Sequence, residues 1–172
     1  RVLLAIIVGT ALAVSGAAMQ GLFRNPLADP GLIGISSGAA LAVAIMIVMV
    51  GPVAGALGLY GLSIAAFAGG TITAIIIFQI SHLKGSFSVT YMLLAGIAIN
   101  ALTGAGTGVL TYMSNDEQLR TLTFWTMGSL GGALWPAVMV AATVVLPATF
   151  ILTRYAKQLN ILVLGEQEAH YL

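Results

Sequence analysis

Cysteine is absent from the 172 residues, which excludes disulfides and thiol chemistry and leaves the redox compartment open. Charge is scarce as well. Charged residues make up 6% of the chain and hydrophobic residues 59%, with a mean hydropathy of +1.06, whereas an ordinary soluble domain carries about 25% charge. Too few polar side chains are present to cover a water-facing surface, so the chain reads as a polytopic membrane protein. The six basic residues are scattered and the net charge is only +1, which gives no patch for nucleic acid. A signal-peptide pattern is also missing, and residue 1 is arginine, not methionine.

What is there is apolar sequence of membrane length. About 20 apolar residues span a bilayer as a helix, and five such windows occur: 2–23, 32–50, 57–80, 90–113 and 134–153. Lipid leaves helix as the natural spanning form for such windows, giving an all-α, polytopic transmembrane helical bundle over residues 1–158. No window carries Asp, Glu, Lys, Arg or His near its centre. Ion-coupled transporters usually place an ionisable group there, so energy is expected from outside the membrane. Basic residues set the orientation. Arg24, Lys84, Arg154 and Lys157 share one side and Arg1 and Arg120 the other, which makes the first side cytoplasmic.

The organising stretch is Gly16 to Gly38, GAAMQGLFRNPLADPGLIGISSG, a polar knot between two windows. Pro26 and Pro30 lack a backbone N–H and disfavour helix at the preceding residue, and Pro30-Gly31 is turn chemistry. A helix from Val2 must stop near Phe23, and the next begins only after Gly31. Arg24 and Asp29 place this turn at a membrane face. The run SGAAMQGLFRNPLADPGLIGISSGAAL resembles the membrane permeases of type II ABC importers, the group handling vitamin B12, ferric siderophores and haem. That resemblance implies that the chain is the N-terminal half, minus its first helix, of a roughly ten-helix permease, all of whose spans are helical.

Asn100, Thr103, Thr107 and Thr111 fall three and four apart and line one face of the fourth window. They are read either as the wall of a translocation pathway, which the resemblance favours, or as Thr-to-backbone and interhelical bonding. Gly34/Gly38, Gly51/Gly55 and Gly104/Gly108 are G-x-x-x-G pairs, expected to let helices approach closely. In 114–132 Asn115 or Asp116 is positioned to cap a short helix near 116–128, with Leu119, Leu122, Phe124 and Trp125 as its apolar side and Arg120 exposed. Trp125 and Trp135 also fit an interfacial aromatic belt. The wording LRTLTFWTMGSLGGALW resembles the external segment of the haem-import members most closely.

The resemblance implies further roles. The pattern at residues 159–172, with Leu164, Gly165, Glu166, Gln167, Glu168 and Ala169, is similar to the cytoplasmic coupling helices that dock on the ATPase. Asn25, Pro26 and Leu27, and Ser88, Val89 and Thr90, fall at cytoplasmic gate positions, with Val89 apolar where a hydroxyl residue would also be at home. Arg1 and Arg120 lie on the external face, where arginines of the family pair with glutamates of the delivering binding protein, a good use of a bidentate guanidinium. The plainer reading makes both arginines membrane anchors.

The implied activity is ATP-driven import of haem, with ferric siderophore and cobalamin as alternatives, by alternating access in the bacterial inner membrane. No covalent chemistry is performed. ATP and Mg belong to an ABC ATPase present in two copies; the other partners are a second permease copy forming a homodimer, a periplasmic binding protein and the lipid bilayer. Haem suggests axial ligands, but cargo must be released, so Met19, Met92 and Met127 are read as filler and no metal ligand is named. Gly34-Ile35-Ser36-Ser37-Gly38 also fits the G-x-S-x-G nucleophile pattern. An intramembrane hydrolase would need a histidine within reach, and both histidines, His82 and His170, lie outside the windows.

Overall fold

A left-handed arginine ends the first helix. In the computed structural model, which describes residues 1–51, 56–82, 87–131 and 133–164, α1 runs Val2–Phe23 and Arg24 follows at φ 50°. Arg24 donates its N–H to Gly21 O and Asn25 donates to Gln20 O, the paired bonds that close a helix C-terminus with glycine in the usual case. The Asn25 side chain then accepts the Leu27 N–H at 2.9 Å, and Ala28 N–H bonds Asn25 O, folding the chain over Pro26. A 3-10 turn, Pro30–Ile33, starts on Pro30 itself, because a missing N–H costs nothing in a first turn. The α-helix proper, α2, begins at Ile35.

The remaining elements are α2 (Ile35–Ile45), continued by a π-helical turn over Met46–Val50, then α3 (Ala56–Ser81), α4 (Val89–Met113), α5 (Asp116–Met127), α6 (Trp135–Arg154) and α7 (Ala156–Leu164). Among the described residues four helices are long and apolar enough to cross a membrane: Val2–Phe23, Tyr60–Ser81, Val89–Met113 and Trp135–Arg154. The window at 32–50 gives a shorter helix, Ile35–Val50, because the 3-10 turn and Gly34 at φ 84° take its first residues. At about 1.5 Å per residue it rises less than the ~30 Å of a hydrocarbon core.

The chain forms two compact units. In the first, Arg1–Pro30 with the chain from Ser129 onward, α1 packs on α6 and α7. Its helices bury little: no residue of α1 is buried and only Val138 of α6 is. Pro136 sits in the first turn of α6, where proline is tolerated, and Pro147 lies inside the helix.

The second unit, Gly31–Gly128, packs α2 against α3 and α4, and glycine decides how closely. A Cβ on Gly38 would meet Thr73 Oγ1 at 1.9 Å, one on Gly69 would meet Gly38 O at 2.6 Å, and one on Gly96 would meet Leu32 O at 2.7 Å. Backbone therefore lies on backbone, the packing mode of membrane helices. Of the expected G-x-x-x-G pairs, Gly34/Gly38 makes such contacts, whereas a Cβ on Gly104 or Gly108 would meet nothing within 4 Å among the described residues; Gly55 lies outside the described residues. The residues that receive Gly38, Gly69 and Thr73, are small and four apart on α3, a spacing that a search for small-residue pairs beyond glycine would have flagged. Val43, Ala44, Ile47, Leu110 and Leu122 form the core cluster of this unit.

Candidate functional site

Asn100 draws three chain segments together. From the middle of α4 its Nδ2 donates to Gly31 O at 3.2 Å and Leu32 O at 3.4 Å, while Ser37 Oγ donates to its Oδ1. Gly31 O also accepts the Gly34 N–H at 3.1 Å within the turn, and the amide adds a donor from another helix. Gly34 is needed here: its φ is 84°, and a Cβ on it would stand 3.1 Å from Gly96 O, which leaves no room for a side chain. The single proton of Ser37 Oγ is shared with Gly34 O, 3.0 Å away.

The threonines that follow Asn100 bond along their own helix. Thr103, Thr107 and Thr111 each donate Oγ1 to the carbonyl four residues earlier, at 2.7, 2.8 and 2.8 Å. Thr103 is buried, whereas Thr107 and Thr111 are half-buried. Every hydroxyl and amide of the stripe thus has a protein partner.

Ser88 caps α4: its Oγ accepts the Tyr91 N–H and its own N–H donates to Ser81 O at 3.0 Å, closing the α3–α4 connection. Val89 is half-buried and Thr90 exposed. Asn25, Pro26 and Leu27 belong to the first unit and Ser88, Val89 and Thr90 to the second, and Leu27 is 85% exposed. His82, just past α3, places Nδ1 2.9 Å from Phe78 O and 3.1 Å from Ser81 Oγ, with its ring between those of Phe78 and Phe87. Its bonds go to that helix end and not to Ser36 or Ser37, so among the described residues the G-x-S-x-G segment has no histidine to serve as the base a nucleophile needs.

Arg1 donates Nη2 to Gly131 O at 2.7 Å, tying the start of α1 to the segment before α6. Arg120 is exposed on α5. That helix begins with a full capping box, the Asn115 side chain accepting the Gln118 N–H and Gln118 Oε1 accepting the Asn115 N–H. Leu122 is its buried residue, Trp125 packs partly on the core cluster, and Phe124 points outward at 65% exposure. Only part of the expected apolar side therefore faces inward. Trp135 stays 71% exposed.

Residues 156–164 form α7; Gly165, Glu166, Gln167, Glu168 and Ala169 lie outside the described residues, as does His170. Among the described residues no cluster of His, Asp or Glu could hold a metal ion. The Gln118 side chain reaches a further place that sequence spacing did not suggest, the end of the π-helical turn.

Comparison with known proteins matches this architecture throughout. The haemin transport system permease HmuU of Yersinia pestis is 56% identical over 172 residues, all of this chain and 51% of the relative. A cobalamin import permease, BtuC, of Halobacterium salinarum is 40% identical over all of this chain and 45% of its own. A solved structure, an inward-facing conformation of a metal-chelate type ABC transporter, superposes with a TM-score of 0.89 at 32% identity, covering 99% of this chain and 53% of that one. The chain spans about half the length of the curated relatives it matches. Since the model of the FecCD transport family matches residues 1–172, the chain is a member of that family.

Proposed function

We propose that these residues are half of the membrane-spanning permease subunit of an ATP-driven importer that moves haem, or a related iron chelate, from a periplasmic binding protein to the cytoplasm. The observation that carries the substrate is the 56% identity with a haemin permease along the whole chain, against 40% and 37% with cobalamin and vitamin B12 permeases. Ferric siderophore and cobalamin are the second reading. The subunit performs no covalent step; ATP is hydrolysed on two copies of a partner ATPase, and two permease copies frame the path in the bacterial inner membrane.

In this scheme residues 159–172 receive the push of the ATPase, through Leu164 to Ala169. Asn25, Pro26 and Leu27 in the first unit, and separately Ser88, Val89 and Thr90 in the second, are cytoplasmic gate residues, where short polar side chains and turns can rearrange. Arg1 and Arg120 meet the binding protein. Thr107 and Thr111, half-buried, are the pathway-lining members of the α4 stripe, while Asn100 and Thr103 serve packing.

Two experiments test these statements. The full permease with its ATPase, in proteoliposomes, should show vanadate-sensitive ATP hydrolysis that rises when the binding protein is added. Haem should sharpen that rise more than ferric siderophore or cobalamin; a response to cobalamin alone would overturn the haem assignment. These 172 residues contain no cysteine, so in an importer whose other cysteines have been replaced, Thr107→Cys and Thr111→Cys act as reporters. Both should react with a small water-soluble maleimide in the turning-over importer, while Thr103→Cys should not. Equal protection at all three positions would remove Thr107 and Thr111 from the path.

A further inference from the structure

The end of the second helix has a defect written into its sequence. The π-helical turn closes with Gly51 N–H on Met46 O at 3.1 Å, which spends the last N–H before Pro52. Proline has no N–H, so Ile47 O lacks its donor in the π pattern and Val48 O lacks its donor in the α pattern. Unsatisfied carbonyls near lipid are costly, and some other group must reach them. Gln118 does: its Nε2 donates to Ile47 O at 3.2 Å and to Val48 O at 3.3 Å.

The same side chain has a second task. Its Oε1 accepts the Asn115 N–H at 3.0 Å, satisfying a free donor at the start of α5. One amide therefore joins the C-terminal end of one helix to the N-terminal end of another. Among the described residues little else holds α5. Leu122, at 4% exposure, is the buried residue of its 12, and Trp125 is only partly covered. An element with so few buried contacts belongs to the low-stability end of a structure, where local opening is concentrated.

We infer that Gln118 is the positioning residue of α5: it replaces the donor that Pro52 lacks, and α5 leaves its seat only when the amide lets go of Ile47 O and Val48 O. Glutamine is suited to this because its amide donates and accepts from one rigid plane. Glutamate would keep the acceptor and lose the donor. Methionine would keep the length and lose both.

Hydrogen exchange followed by mass spectrometry on the full permease in nanodiscs tests the inference, whatever the cargo is. Gln118→Met should raise exchange of the amides of Leu119 to Met127 roughly tenfold, the scale of losing a hydrogen bond and exposing its partner, with the amides of α4 unchanged. Gln118→Glu should raise α5 exchange comparably even though the capping box is retained. If Gln118→Glu leaves α5 as protected as in the wild type, the bonds to Ile47 O and Val48 O do not hold the helix and the inference is wrong. Unchanged exchange in both variants overturns it too, and a rise shared equally by α4 would mean general unfolding in place of a lost clasp.

Discussion

Replacing Gly96 by leucine should abolish accumulation of folded permease. Gly96 sits inside α4, where alanine would normally gain about 1 kcal/mol in helix propensity over glycine. That gain is available only if a side chain fits. A Cβ at this position would stand 2.7 Å from Leu32 O, 2.9 Å from Ile33 Cα and 3.1 Å from Ile33 O. These are backbone atoms of the 3-10 turn and cannot rotate aside, so α4 must move as a body. Overpacking of a core costs about 1–3 kcal/mol, occasionally more, even where side chains can adjust. Already for Gly96→Ala the clash should exceed the propensity gain. Monodisperse yield in detergent is the measurement, with Gly104→Ala as the control. Gly104 has open space around it, so that variant should be as stable as the wild type within this unit. A well-behaved Gly96→Leu permease would show that α4 does not rest on the 3-10 turn.

Asn100→Leu should have the smaller effect of the two. It removes two donated bonds, to Gly31 O and Leu32 O, and the acceptor of Ser37 Oγ. Ser37 retains Gly34 O and Gly31 O retains the Gly34 N–H, so the loss is that of the three bonds to Asn100 and not of every partner of these groups. Interhelical hydrogen bonds in membrane proteins average about 0.6 kcal/mol and reach about 1.7. Three together give about 2 kcal/mol, on the order of a thirtyfold change in a folding equilibrium. Thermal unfolding of the purified permease should shift down by several degrees, and binding-protein-stimulated ATP hydrolysis should fall with the folded fraction. The alternative outcome is equally clear. If Asn100→Leu melts like the wild type and only transport is lost, the amide faces the cargo and is not a staple.

Much of the fold was legible from chemistry along the chain. Pro26, Pro30 and Gly31 stop α1 at Phe23 and delay the next α-helix to Ile35, because a residue without an N–H cannot continue a helical ladder. Asn115 caps α5 because a short side-chain oxygen one residue before a helix meets a free N–H. Membrane length marked α1, α3, α4 and α6. The resemblance in Gly16–Gly38 pointed to the family whose model covers the whole chain.

Tertiary structure decided what spacing could not. Gly34/Gly38 and Gly104/Gly108 are the same pattern in sequence, yet only the first pair lies against a neighbour, since a small residue permits close approach without specifying who approaches. The stripe Asn100, Thr103, Thr107, Thr111 looked uniform. It divides because Asn100 sits level with a turn whose carbonyls accept from another helix, while each threonine reaches a carbonyl of its own helix. Pro52 and Gln118 are 66 positions apart in sequence, and nothing local links a missing donor at one to an amide at the other. Local covalent chemistry therefore settled where helices stop, and the packed fold alone settled which polar groups complete one another, because hydrogen-bond partners are chosen by distance in space.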